Sequence, residues 1–149
     1  MMSLLDLLHH PLFRSTVLML WLLPCAIQDR RTRHVSNWLT VPLFILAWPV
    51  AILTGHFALT FAVFVGVYVA TKLEPRAGAA DGKLMVGLAA LAPLALGIGA
   101  VLEVIVFAIL RLRGRRDVAI PGALLLYLGC ALSTAAWGTL AAVGLTGYS

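Results

Sequence analysis

Long apolar runs alternate with short, charge-dense stretches along this chain. The runs cover roughly residues 12–27, 38–53, 57–70, 84–110 and 119–145. Each is long enough for a buried or membrane-crossing helix, and none shows the strict in–out alternation that a membrane β-barrel requires. No internal repeat stands out.

The fourth run exceeds the roughly 20 residues that one span needs, and Pro93, Gly97 and Gly99 interrupt it. The charge pattern decides how to read it. The polar stretches 29–37, 72–83 and 111–117 hold every Lys and Arg of the chain except Arg14. Short basic loops mark the cytoplasmic side of a membrane protein. The third basic stretch joins the first two on that side only if 84–110 enters the membrane and returns. The pattern therefore predicts a short hairpin turning near 93–99. The expected fold is an all-α integral membrane protein of about six transmembrane helical segments, with segments four and five the hairpin. The basic loops would lie in the cytoplasm and both termini would face outward.

Composition agrees. Of 149 residues, 62% are hydrophobic and 11% charged, against about half and about a quarter in a soluble domain. The expected organisation is a single membrane-embedded domain over 1–149. Cys25 and Cys130 lie inside apolar runs with no CxxC pair, so they read as buried small hydrophobes rather than a disulfide or metal site. Leu22, Leu23 and Pro24 ahead of Cys25 do not make a cleavage site, so the first run reads as a retained helix. The stretch MMSLLDLLHHPLF suits a short interfacial helix ending near Pro11.

Two acids carry the candidate chemistry. Asp29 ends the first apolar run, where the helix dipole opposes a carboxylate. A plain account is a solvated acid softened by Arg30, Arg31 and Arg33. Asp81, in PRAGAADGKLM, opens the fourth run, where it reads equally well as a helix N-cap. The predicted topology places both carboxylates on one membrane face at similar depth. Two such acids with no metal-ligand cluster nearby fit acid–base chemistry, in which they share a proton and activate water.

At these residues the chain resembles the type IV prepilin peptidases, which are GxGD-type intramembrane aspartyl proteases. DRRTRHVSNWLT is similar to the family's first catalytic motif, with Asp29 and Asn37 in register. GAADGKL is similar to GxGDxKL, placing Gly78, Ala80, Asp81 and Lys83. GRRDVAIPGALLLYLG is similar to the stretch that follows the fifth helix, with Ile120, Pro121 and Gly129 matching. Two departures stand out. Val35-Ser36-Asn37 replaces an IPN turn, and Ala80 replaces the second glycine of GxGD, where a positive φ would disfavour alanine.

The resemblance implies an aspartic endopeptidase with Asp29 and Asp81 catalytic. Asn37, Lys83, Gly78 and Ala80 would support them, Asn37 as a helix cap in preference to holding the loop, and Lys83 beside Asp81 or as an interface lysine. No metal and no cofactor are implied. The implied substrate is a pilin-like precursor whose short basic leader is removed at the cytoplasmic face of the inner membrane, in a pilus or secretion pathway. Only eight residues separate Asp29 from Trp38, which resembles the short peptidase-only members and implies no N-methyl transfer. Expected partners are the precursor and anionic lipids, not nucleic acid. Glu103 supports a rival reading, because an ionisable group at membrane depth is a functional hypothesis in itself. A proton-coupled transporter or channel built on Glu103 would leave the two aspartate motifs unexplained. A non-catalytic assembly factor, with its small residues serving helix contacts, is a third reading.

Overall fold

The computed structural model describes Asp6 and residues 9–32, 35–73, 79–114 and 122–143. Its described part is all-helical. The six helices are α1 (Pro11–Thr32), α2 (Asn37–Leu53), α3 (Phe57–Leu73), α4 (Ala79–Leu91), α5 (Pro93–Leu112) and α6 (Gly122–Ala142). By length and apolarity α1, α5 and α6 are each able to cross a membrane, while α2 and α3 are apolar but shorter. The chain is thus a helical membrane protein. Gly78, Ile120, Pro121, Arg33 and most of the expected interfacial helix lie outside the described residues.

Local chemistry sets the boundaries. Pro11 and Pro93 open α1 and α5, where the missing N–H has no intrahelical partner to lose. Ser36, extended at φ −64 and ψ 138, caps α2 by accepting the Trp38 N–H on its hydroxyl. Gly55 turns the chain between α2 and α3 with φ 74, a conformation that favours glycine.

The break in the fourth apolar run is not where the glycines suggested. It is a single residue, Ala92, and Gly97 and Gly99 are helical. Segment five is consequently not short: α5 has 20 residues against 13 in α4. Pro93 explains the shift, since it cannot continue α4 and is well placed to begin α5.

α4 is the central element. Leu84, Val86, Leu88, Ala89 and Ala90 are all buried. Leu84 and Leu88 pack with Leu18 and Leu22 of α1 and Leu126 of α6, whereas Val86 and Ala90 pack with Ala47 and Ala51 of α2. A helix buried on every side carries no apolar stripe. Phe44 and Trp48 of α2 meet Phe64 of α3 edge-on or tilted beside this second cluster. α5 and α6 cross closely at Gly129, where an added Cβ would lie 2.5 Å from the Gly99 nitrogen. Cys25 and Cys130 are free and buried, as their apolar surroundings in sequence led one to expect.

The bundle has two distinguishable ends. Pro11, His56, Ala92 and Trp137 line a cavity of about 170 Å³ at one of them. Thr71, Asp81, Phe107 and Gly122 line a larger one, of about 420 Å³, elsewhere. The second is where the acids lie.

Candidate active site

Asp29 sits in the last two turns of α1, which runs on to Thr32. It is not the solvated acid of the plain reading. It is only 7% exposed, while Arg30 and Arg31 beside it are exposed. Its Oδ2 accepts the backbone N–H of Ala123 at 3.1 Å. Ala123 is the second residue of α6, so this N–H is one of the four that a helix cannot satisfy internally. The positive end of α6 therefore compensates the unfavourable field of α1's own C-terminus.

Asp81 is the third residue of α4 and lies inside its first turn, so it is not the N-cap that its sequence context suggested. Its carboxyl group occupies the space a side chain at Gly122 would need: a Cβ there would lie 2.5 Å from Oδ2 and 2.9 Å from Cγ. Asp29 and Asp81, distant in sequence, thus converge on consecutive residues of α6. Burial, with the nearby Asp29 charge adding to it, pushes Asp81 up to about 6. A carboxyl group near that value is poised to hold or release a proton close to neutrality.

The supporting residues fall into place differently. Asn37 does not cap α2; Ser36 does, and Asn37 instead accepts a 2.9 Å hydrogen bond from Lys83 Nζ on its Oδ1. Lys83 thereby ties α4 to the start of α2. Gln28, next to Asp29, accepts the Ser36 N–H on Oε1 at 3.0 Å. The loop that lacks the IPN proline is held by these side chains. Ala80 is helical and so has no need of a positive φ, which accounts for alanine at a family glycine.

An open, mostly apolar cavity of about 420 Å³ runs alongside Asp81. Val67 and Thr71 of α3, Met85 of α4, and Glu103 and Phe107 of α5 share its walls. Asp29 is not among the lining residues; it lies against α6, with Gly122 at the edge of the cavity. Glu103, read from sequence as an isolated membrane acid, faces the same space as Asp81. Reading from sequence missed Gly122 and Ala123 as well. For Glu103 a signal existed: it and Asp81 each lie eleven residues from Ala92, so a break there sets them level. Among the described residues no group of three or more His, Cys, Asp and Glu side chains is spaced to hold a metal ion.

The model of the type IV leader peptidase family matches residues 16–112. That is well over half of the chain, and it spans both aspartates. The chain belongs to this family. The match ends at the close of α5, so the third motif and α6 lie beyond it. No curated relative and no solved structure matches. Family membership makes the protein a membrane peptidase of the leader-peptidase kind.

Proposed function

We propose that this protein is an intramembrane aspartyl endopeptidase that removes the short basic leader of type IV pilin-like precursors. Asp29 and Asp81 are its catalytic pair. The single observation that carries the reading is the convergence of both carboxyl groups on Gly122 and Ala123.

The chemistry follows from the unequal surroundings of the two acids. Asp81, with its raised affinity for a proton, protonates the scissile carbonyl oxygen. Asp29 takes a proton from water as the water oxygen attacks the carbonyl carbon. The tetrahedral diol then collapses: the C–N bond breaks as the amine nitrogen takes the proton now on Asp29, and one diol hydroxyl returns its proton to Asp81, leaving a carboxyl group and both aspartates as they began. Closure on the substrate brings the two groups to a shared water. The apolar cavity beside Asp81 suits a substrate segment rich in apolar side chains.

α4 and α5 form the membrane hairpin in this reading, and six helical segments alternate in direction. The basic stretches face the cytoplasm of an inner-membrane protein, so cleavage happens at that face. The protein transfers no methyl group and takes no cofactor. Glu103, on which a transporter reading rests, shares the cavity with Asp81, and this supports one proteolytic site over a separate ion path.

Co-expression with pilin-like precursors from the same genome tests the proposal. A leader-sized mobility shift is expected with the unaltered protein and with neither Asp29→Asn nor Asp81→Asn. The double variant should be no worse than either single one, because the pair acts as a unit. Cleavage that survives both substitutions would sink the assignment.

A further inference from the structure

The cavity beside Asp81 holds an acid that the dyad does not use. Glu103 lies on α5, across that cavity from α4, and its Oε1 is cut off from solvent with no hydrogen-bond partner. A buried carboxylate oxygen without a donor is costly, and native structures normally supply one. The basic side chains on the neighbouring helix ends do not fill the need. Lys72 lies over the Tyr68 ring at 5.6 Å and Arg111 over the Phe107 ring at 4.9 Å. The remaining walls named above are apolar apart from Asp81 and Thr71. Among the described residues none donates to Glu103 Oε1, which leaves that place to whatever enters the cavity.

Its charge type is constrained too. Asp81 and Glu103 put two acids on one cavity, with Asp29 held just beyond it at Ala123, in a protein whose net charge is +5. A neutral donor would satisfy the hydrogen bond but leave that field uncompensated. A cationic group satisfies both, and a charge-assisted bond is about twice as strong as a neutral one. Arg30 and Arg31, exposed beside Asp29, repel a cation in solution, so discrimination in its favour is made inside the cavity.

We infer that Glu103 is a specificity-determining residue that pairs with a cationic side chain of the substrate close to the cleaved bond. The inference rests on the proteolytic reading of Asp29 and Asp81 and adds a recognition contact to it. Glu103 and Asp81 line one cavity, so the cation and the scissile carbonyl lie within a few residues of each other. The occupant is then an extended segment with apolar side chains for the cavity walls and one Lys or Arg for Glu103. Removing the acid weakens binding of that residue more than it slows the bond-breaking step.

Three synthetic precursors test this in liposomes. They share one apolar helix and differ only in the leader residues before the junction: Lys and Arg, Gln, or Glu. The readout is the ratio of kcat/KM for the basic over the neutral leader, which cancels general damage to the enzyme. Glu103→Gln should cut that ratio on the order of tenfold, mainly through KM, as expected for loss of a desolvated charge partner. Glu103→Lys should reverse the preference towards the Glu leader, which also shows that the altered protein is folded and active. A ratio unchanged by Glu103→Gln, or no reversal with Glu103→Lys, overturns the inference while leaving the protease intact. Asp29→Asn serves as the blank for contaminating proteases. If the unaltered protein cleaves none of the three leaders above that blank, the proteolytic reading fails and this inference falls with it.

Discussion

The Asp81 carboxyl group occupies the place of a side chain at Gly122, 2.5 Å from where a Cβ would stand. The first residue of α6 is thus bare on the side where α4 delivers its acid, and the next residue donates its N–H to Asp29. One short segment registers two acids from two other helices. Gly122 is helical, so its lack of a side chain serves space and not backbone freedom.

Gly122→Ala should therefore leave the bundle folded but push the Asp81 carboxyl aside by about an ångström, a displacement that costs on the order of 100-fold in rate. Cleavage kinetics beside a thermal melt separate the two effects. A variant with full activity would show that the seat at Gly122 is not needed.

Removing the other half of the register is equally specific. Ala123→Pro deletes the N–H that Asp29 accepts, in a first turn where proline is tolerated. A hydrogen bond to a charged group is worth about 1.5–3 kcal/mol. Ala123→Pro should lose activity, whereas Ala123→Ser, which keeps the N–H, should retain it in the same cleavage assay.

The protonation of Asp81 sets the pH response. Its pKa of about 6 comes first from burial and then from the Asp29 charge. If Asp81 must supply a proton, kcat/KM falls as pH rises through about 6, since kcat/KM reports the free enzyme. The stability contribution has the same sign: the folded form binds this proton more tightly than the unfolded chain, so stability from Asp81 is present at low pH and lost as pH rises through that value. In Asp29→Asn the second cause disappears while burial remains. NMR titration of carboxyl-labelled aspartate should then show Asp81 releasing its proton at lower pH than in the unaltered protein. An unmoved titration would mean that the two carboxyl groups do not sense each other.

Much of this arrangement was legible in the sequence, and the failures share a cause. The all-helical class followed from five apolar runs, because burial in a bundle or bilayer leaves little choice of composition, and the division of the fourth run into two helices followed from the charge pattern. Asp29 and Asp81 were legible because each breaks a local rule or sits in a motif. Gly122 and Ala123 were not, since their part is played across long sequence separations through backbone and absent atoms. The helix break was misplaced for a similar reason. Gly97 and Gly99 look like a turn locally, yet both are helical, and Gly99 packs so closely on α6 that an added Cβ would lie 3.2 Å from the Leu126 Cα. Asn37 looked like a cap because asparagine favours that role, but Ser36 ahead of it took the position and left Asn37 for Lys83.

Ser36 also explains how the loop works without the family's proline. Its φ of −64 is one that proline adopts without strain. Ser36→Pro would remove the N–H bond to Gln28 and the hydroxyl cap on Trp38, and would restrict the unfolded chain. These effects oppose one another, leaving a net loss of about 1 kcal/mol. A slightly lower melting temperature with cleavage retained is expected. Collapse of the fold would show that Ser36 holds Gln28, and through it Asp29, more tightly than the bond lengths imply.

The last prediction concerns direction in the membrane. Pro11, His56, Ala92 and Trp137 gather around one cavity. Thr71, Asp81, Phe107 and Gly122 gather around the other. Each of α3 to α6 thus has one end near the first group and the other near the second. Such an arrangement requires successive helices to reverse. Lys72 and Arg111 each sit one turn or less beyond lining residues of the second group, and Arg14 is a lining residue of the first. The expectation from basic loops retained in the cytoplasm is that the end holding Asp81 faces inward. Cys25 and Cys130 are buried, so single cysteines introduced elsewhere can be labelled against a low background. His56→Cys should react with an impermeant reagent added outside the cell, and Arg111→Cys only after the membrane is opened. Labelling of both from the same side would require a path in which α4 and α5 do not turn back at Ala92, and would remove the hairpin together with the cytoplasmic site it places.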